Sequence, residues 1–243
     1  MDLLISQKEF AQLIYSTNLG IGLREADIRL SILEAEKYGI TSVLVNPCNV
    51  SSAIDFIEQT AVKISAVTSY PIGAYPLEIK EFEIKEAICN GAESVVMLMG
   101  IGVFLDGFYE QTQAEMNMLA NIAHDKTTFL MLEASALNDE QKVLACKMAI
   151  EVGIDFIITS TDFKPNGFGE TTIEDVELLV EAAAGQIGIV AAGEIRTARQ
   201  AITMLNAGAC RICSPVAVDI IRGFNLIRDG ISMSTREGLE RCS

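Results

Sequence analysis

Two carboxylates stand at the ends of apolar runs, where a proton could be handed on. Glu133 follows Thr127–Leu132, and Asp162 follows Phe156–Thr159 together with Thr159 and Thr161. Such a pair could act as acid and base in a proton transfer or dehydration that needs no imine. The plainer role for both is to hydrogen-bond loops and each other. Lys164, in Asp162-Phe-Lys-Pro-Asn-Gly-Phe-Gly169, is the one lysine in a loop after an apolar run. Its neighbour Asp162 favours the ammonium form, which suits an anion contact or a solvated side chain better than a nucleophile. Asn46 closes another apolar run and is a candidate ligand contact. Cys210-Arg-Ile-Cys213 has the spacing of a redox or metal pair, yet residues three apart on a strand face opposite ways. His124, the sole histidine, lies in a helix-to-strand connection, so no metal-ligand cluster is expected. Gly100-Ile-Gly102 lacks the third glycine of a dinucleotide fingerprint, and no cofactor is expected.

The elements that must position these groups follow from the hydropathy pattern. Short apolar runs at Leu13–Leu19 (the weakest), Ser42–Val45, Val62–Thr68, Ser94–Met99, Thr127–Leu132, Phe156–Thr159, Ile187–Ala191 and Arg211–Cys213 read as strands. Helical spacing appears between them, at Arg24–Lys37, Glu78–Asn90, Glu110–His124, Asp139–Val152, Ile173–Ala184, Ala198–Asn206 and Ala217–Phe224. Asn138 and Thr172 are placed to cap two of these helices. The alternation predicts an α/β fold, a (β/α)8 TIM barrel, spanning 1–243 as a single domain with the barrel at about 7–225. The C-terminal tail, about 226–243, has little periodicity. Lys63 and Lys126 begin strands, at the end of the barrel opposite the chemistry, and the other lysines except Lys164 fall on helices, where they are expected to face outward.

The words Ser42-Val-Leu-Val-Asn-Pro47, Tyr70-Pro-Ile-Gly-Ala74, Asp155-Phe-Ile-Ile-Thr-Ser-Thr161, Thr172-Ile-Glu-Asp-Val176, Gly193-Glu-Ile-Arg-Thr197 and Ala207-Gly-Ala209 occur in that order. From about Leu13 to Phe224 the chain resembles the deoxyribose-phosphate aldolase family. The resemblance implies a barrel whose sixth strand carries a Schiff-base lysine. It also implies a second lysine on the seventh strand that lowers the first one's pKa, and a relay aspartate on the fourth. At those positions stand Ile158, Val190 and Val96. The joint change to branched apolar residues avoids leaving buried charges without partners, which costs several kcal/mol each.

The resemblance further implies a phosphate site built from a Gly-Gly pair and a Ser-rich loop. Here the pair reads Gly193-Glu194 and the loop reads Cys213-Ser-Pro215, so phosphate binding is expected to be weakened, with Ser214 a surviving contact. Arg196 is expected on the surface, at the start of a helix. Tyr15 and Ser16 occupy positions where the family has Asp-His.

With 18 Lys plus Arg against 33 Asp plus Glu, the formal charge of −15 argues against nucleic acid as a partner. No apolar run of roughly 18 residues is present, nor a basic region leading into one. A cytoplasmic protein with no membrane partner and six reduced cysteines is expected. Two functions remain. One is a non-aldolase homologue, a pseudoenzyme, that binds a small metabolite or a protein partner, and pairing as a homodimer is compatible with it. The other is a lyase or isomerase acting on a small carbonyl or sugar-derived substrate through Glu133, Asp162 or Lys164. A ligand-sized cavity lined by Val96, Ile158 and Val190, with Glu133 and Asn46 at its rim, would favour the second. A filled cavity and an exposed apolar patch elsewhere would favour the first.

Overall fold

The computed structural model describes residues 5–58, 60–163 and 170–224. Eight parallel strands close into a barrel in sequence order: β1 (Ile14–Asn18), β2 (Ser42–Val45), β3 (Lys63–Thr68), β4 (Ser94–Leu98), β5 (Thr127–Met131), β6 (Phe156–Ile158), β7 (Gly188–Ala191) and β8 (Arg211–Ser214). The ring closes through Tyr15 beside Cys213. Helices cover the outside, so both strand faces are buried and the strands read as nearly unbroken apolar runs. Alternation assigns the faces. Ile157 and Ile189 pair and pack outward under the helices, while Ile158 and Val190 pair and point into the barrel. On three neighbouring strands Ser42, Ser65 and Ser94 link hydroxyls at 2.7 and 2.5 Å, satisfying polar groups that would otherwise be buried alone.

The outer layer comprises α1 (Gln7–Ala11), α2 (Glu25–Tyr38), α3 (Val50–Ile57), α4 (Leu77–Cys89), α5 (Ile101–Leu105), α6 (Tyr109–Ile122), α7 (Asp139–Glu151), α8 (Ile173–Ala183), α9 (Ala198–Asn206) and α10 (Ala217–Phe224). Asn138 and Thr172 cap α7 and α8 as expected, each in a full capping box. The sequence pattern missed α1, α3 and α5, whose 5, 8 and 5 residues are too few for a helical period to stand out. Among the described residues no helix is long and apolar enough to cross a membrane.

Two helix lysines correct the expectation that such residues face outward. Lys80 on α4 is fully buried and Lys142 on α7 nearly so, because helices around a barrel pack on one another as well as on the sheet. Lys142 Nζ lies 2.6 Å from Asp175 Oδ1 on α8 and 3.1 Å from Asp139. Burial alone would raise the Asp175 carboxyl, but the Lys142 ammonium and the bonds from Thr172 outweigh it and hold it below the usual carboxylate range. A carboxyl whose folded-state value is depressed adds stability above its unfolded value, near 3.9, and loses it as pH falls through the folded value. Urea melts should therefore give a flat stability from about pH 7 to 5 and a decline below about 4. Asp175→Asn should make that acid decline shallower, and an unchanged decline would show that the pair is not its source.

Candidate functional site

In this fold, chemistry sits where strands end and the following loops begin. Val96, Ile158 and Val190 are fully buried and share one apolar cluster inside the barrel with Leu98, Phe129 and Met131. None of the three is among the walls of the cavity described next.

The space lies to one side. A cavity of about 240 Å³ sits over the ends of β4 and β5, walled by Pro71 and Ile72, Leu98 and Met99, Ile101 and Leu105, and Met131 and Leu132. Glu133 and Thr161 are its polar wall and Phe163 closes one side. Buried polar groups hold these walls from behind. Glu83 on α4 accepts from the Ser69 amide at 2.7 Å, fixing the loop that carries Pro71 and Ile72. Lys80 donates to the Leu98 carbonyl at 3.1 Å and to Glu115 Oε2 at 2.9 Å, and Glu115 accepts the Gly100 amide at 3.1 Å. The turn after β4 is thus fastened to α4 and α6. Burial pushes the Lys80 ammonium below the ordinary lysine range, with Glu115 and Glu83 opposing the drop.

Glu133 accepts from Thr161 Oγ1 at 2.7 Å, from the Thr161 amide at 3.3 Å and from Ser135 Oγ at 2.7 Å. Ser160 Oγ lies 3.4 Å from each of its oxygens. Asp162 is engaged elsewhere. Its Oδ2 lies 2.6 Å from Arg196, and its Oδ1 accepts the Glu194 amide at 3.0 Å. Arg196 also reaches Glu194 Oε1 at 3.1 Å. The two carboxylates expected to act as an acid–base pair therefore serve separate partner sets. Tyr70 reports on both: burial lifts its hydroxyl above the usual range, and Asp162 and then Glu133 lift it further. Tyr70 was not singled out from the sequence, where nothing marks a tyrosine before a proline as lying between two acids.

Asp162 and Glu194 both adopt left-handed backbone, at φ 56° and 57°, and Gly193 beside them is at φ 98°. Non-glycine residues seldom hold that conformation, and here the Asp162–Glu194–Arg196 network holds it. Arg196 is a correction to the surface role expected, since its side chain spans this network and its NH1 is buried with no hydrogen-bond partner among the described residues. Ser214 and Thr159, expected as ligand contacts, are fully buried and bonded internally. Ser214 donates to the Ile195 carbonyl at 2.7 Å, and Thr159 joins Thr171 at 2.9 Å and the Ala192 carbonyl at 3.1 Å. Both point away from solvent because the barrel top needs them to bridge neighbouring strands. Asn46 precedes the 3-10 turn Pro47–Asn49 and is not among the cavity walls. Of the expected contacts, only Thr161 and Glu133 meet there. Lys164 lies outside the described residues.

Cys210 and Cys213 correct another expectation, since both are buried in the barrel-centre cluster; Cys210 precedes β8 and so escapes its alternation. Burial pushes the Cys213 thiol far up. Among the described residues no group of three or more His, Cys, Asp or Glu side chains is placed to hold a metal.

No protein-family model matches the chain. It is 37% identical over 223 residues to the deoxyribose-phosphate aldolase of Thermococcus kodakarensis, covering 90% of this chain and 98% of that one. It is 38% identical over 192 residues to the enzyme of that name from Streptococcus equi subsp. zooepidemicus, covering 79% and 86%. Among solved structures, an aldolase designated QR15 superposes with a TM-score of 0.84 at 31% identity, over 90% of this chain and 98% of that one. The deoxyribose phosphate aldolase of Aeropyrum pernix, described as a unique tetramer, gives a TM-score of 0.85 at 25% identity over 91% and 94%. Near-complete coverage on both sides, at identities well above 30% for the sequence relatives, accounts for the shared words and the shared barrel together: the chain belongs to the deoxyribose-phosphate aldolase family.

Proposed function

We propose that this family member does not work as a lysine aldolase and instead binds a small unphosphorylated metabolite beside the barrel axis. The observation that carries the reading is the shared burial of Val96, Ile158 and Val190 in one closed apolar cluster. An imine mechanism needs an amine at the end of a strand and room for a carbonyl carbon next to it. At those three positions there is neither. The cavity over β4 and β5 offers an apolar surface with one carboxylate, Glu133, held by hydroxyl donors. That environment suits an uncharged ligand with a hydroxyl to present to Glu133.

The former phosphate loops support the second half of the reading. The carboxylate of Asp162 already accepts the Glu194 amide and the Arg196 guanidinium, the kinds of donor a phosphate would need. An incoming phosphate would meet two carboxylates and a cation already neutralised. The acid–base alternative has less support, because Glu133 and Asp162 are held by separate partner sets and do not face one another as a pair.

The test is intact-protein mass after incubation with deoxyribose 5-phosphate or with acetaldehyde, followed by borohydride. No adduct is expected, while a control aldolase labels under the same conditions. A stable adduct mapped to any lysine, Lys164 included, would overturn the proposal.

A further inference from the structure

The opposite end of the barrel holds a second opening, of about 880 Å³, at the N-terminal ends of β6, β7 and β8 and the turns leading into them. Arg211 and Tyr15 face it from inside. Tyr15 pairs with Cys213 and Arg211 lies two residues before Cys213, so strand alternation turns all three toward the barrel axis. Arg211 is half-buried and its NH1 donates to the Cys210 carbonyl at 2.8 Å. Among the described residues it forms no ion pair. The nearest acid in the opening, Asp155, spends one oxygen on the Thr128 amide at 2.8 Å and the Thr128 hydroxyl at 2.9 Å, and Glu181 stands exposed at the rim.

A guanidinium carries five N–H donors and no acceptor. Burial raises the Tyr15 hydroxyl above its ordinary range, and the charge of Arg211 and a hydrogen bond from it only partly offset this; the Tyr15 oxygen takes a guanidinium N–H while its own proton stays available to donate. The guanidinium N–H groups not taken by Tyr15 and Cys210, together with the phenol proton, call for a further acceptor in the opening. A carboxylate fits best, since its two oxygens match the planar fork of the guanidinium. One wall of the opening is flat and apolar. The Phe156 ring stacks on Phe129 with centroids 4.8 Å apart and is still partly exposed. Its place depends on Gly188, where an added Cβ would fall 2.3 Å from the ring.

We infer that this opening binds a small organic carboxylate, its oxygens on Arg211 and Tyr15 and its carbon body along Phe156. The site lies at the opposite end of the barrel from the cavity at Glu133, and its cation, Arg211, shares the opening with Asp155 and Glu181.

The experiment is calorimetric titration of the full chain with benzoate and with its uncharged analogue benzamide. Benzoate is expected to saturate, and benzamide to bind at least about tenfold more weakly, the loss of one charge-assisted contact. Arg211→Gln should weaken benzoate about tenfold or more, Arg211→Lys less, and Tyr15→Phe several-fold, roughly in the order of charge retained. Glu133→Gln, at the other end of the barrel, should leave it within about twofold. If Arg211→Gln fails to fold, the Lys and Phe variants decide the matter. Unchanged benzoate affinity in the folded Arg211 variants, or no saturation by about 10 mM in the unaltered chain, would overturn the inference.

Discussion

Glu115→Gln is expected to cost about 3–5 kcal/mol of unfolding free energy, the penalty for leaving a buried charge without its partner. Lys80 is fully buried and its ammonium has two acceptors, Glu115 Oε2 at 2.9 Å and the Leu98 carbonyl at 3.1 Å. Replacing the carboxylate by an amide leaves the ammonium without an opposite charge, and the single amide oxygen must serve both Lys80 and the Gly100 amide. The double change Lys80→Met with Glu115→Leu should recover most of the loss, since apolar side chains of similar volume replace buried pairs at little cost. The signature in pH is specific. Burial already depresses the Lys80 value, and losing the opposing Glu115 depresses it further. The unfolded chain then binds more protons than the folded one between that lowered value and the ordinary value near 10.4. Stability of Glu115→Gln should accordingly rise with pH through this alkaline window. Urea melts across pH 7 to 10.5 check both effects. A single-variant loss below about 1 kcal/mol would place the pair outside the interactions that hold the turn after β4.

Ile158→Lys should be the second large effect, although it restores the residue type that the family resemblance places there. The new amine would enter an apolar cluster of Val96, Val190, Leu98, Phe129 and Met131. Burying it costs several kcal/mol and drives it toward the neutral form. A loss of about 3 kcal/mol, or a melting temperature lower by roughly 6–12 °C for a chain of this size, is expected. Adding Val96→Asp and Val190→Lys should give a total loss smaller than the sum of the three single changes, because each charge then finds a partner. Strict additivity would mean that the three side chains do not share one space. In neither variant is turnover expected without further change, because the cavity lies beside this cluster and none of its walls is Ile158.

Membership of an aldolase family and the proposed absence of an imine mechanism are compatible for a physical reason. The barrel is held by strand pairing and by the two outer apolar clusters, neither of which draws on Val96, Ile158 or Val190. The central positions can therefore turn apolar without loss of the fold. What changes is the mouth of the barrel, where Asp162 and Arg196 bind each other.

The order of elements was written in the sequence. All eight strands stand where short apolar runs bounded by Gly or polar residues placed them, and seven helices lie within two residues of the expected ends. That signal is local: a strand buried on both faces must be apolar over its length, and a helix of three turns must repeat its apolar face. The helix caps Asn138 and Thr172 were legible for the same reason. The site was not. That Glu133 would be taken by Thr161 and Ser135, and Asp162 by Arg196, depends on loops after different strands meeting in space. Lys80 looks like any helix lysine until α4 and α6 close over it, and Arg211 looks like any charge at a strand start until alternation turns it into the barrel. The sequence alone determined which groups exist and which element carries each. Only the tertiary structure decided which of them share a partner, because burial and pairing are set by contacts between segments far apart along the chain.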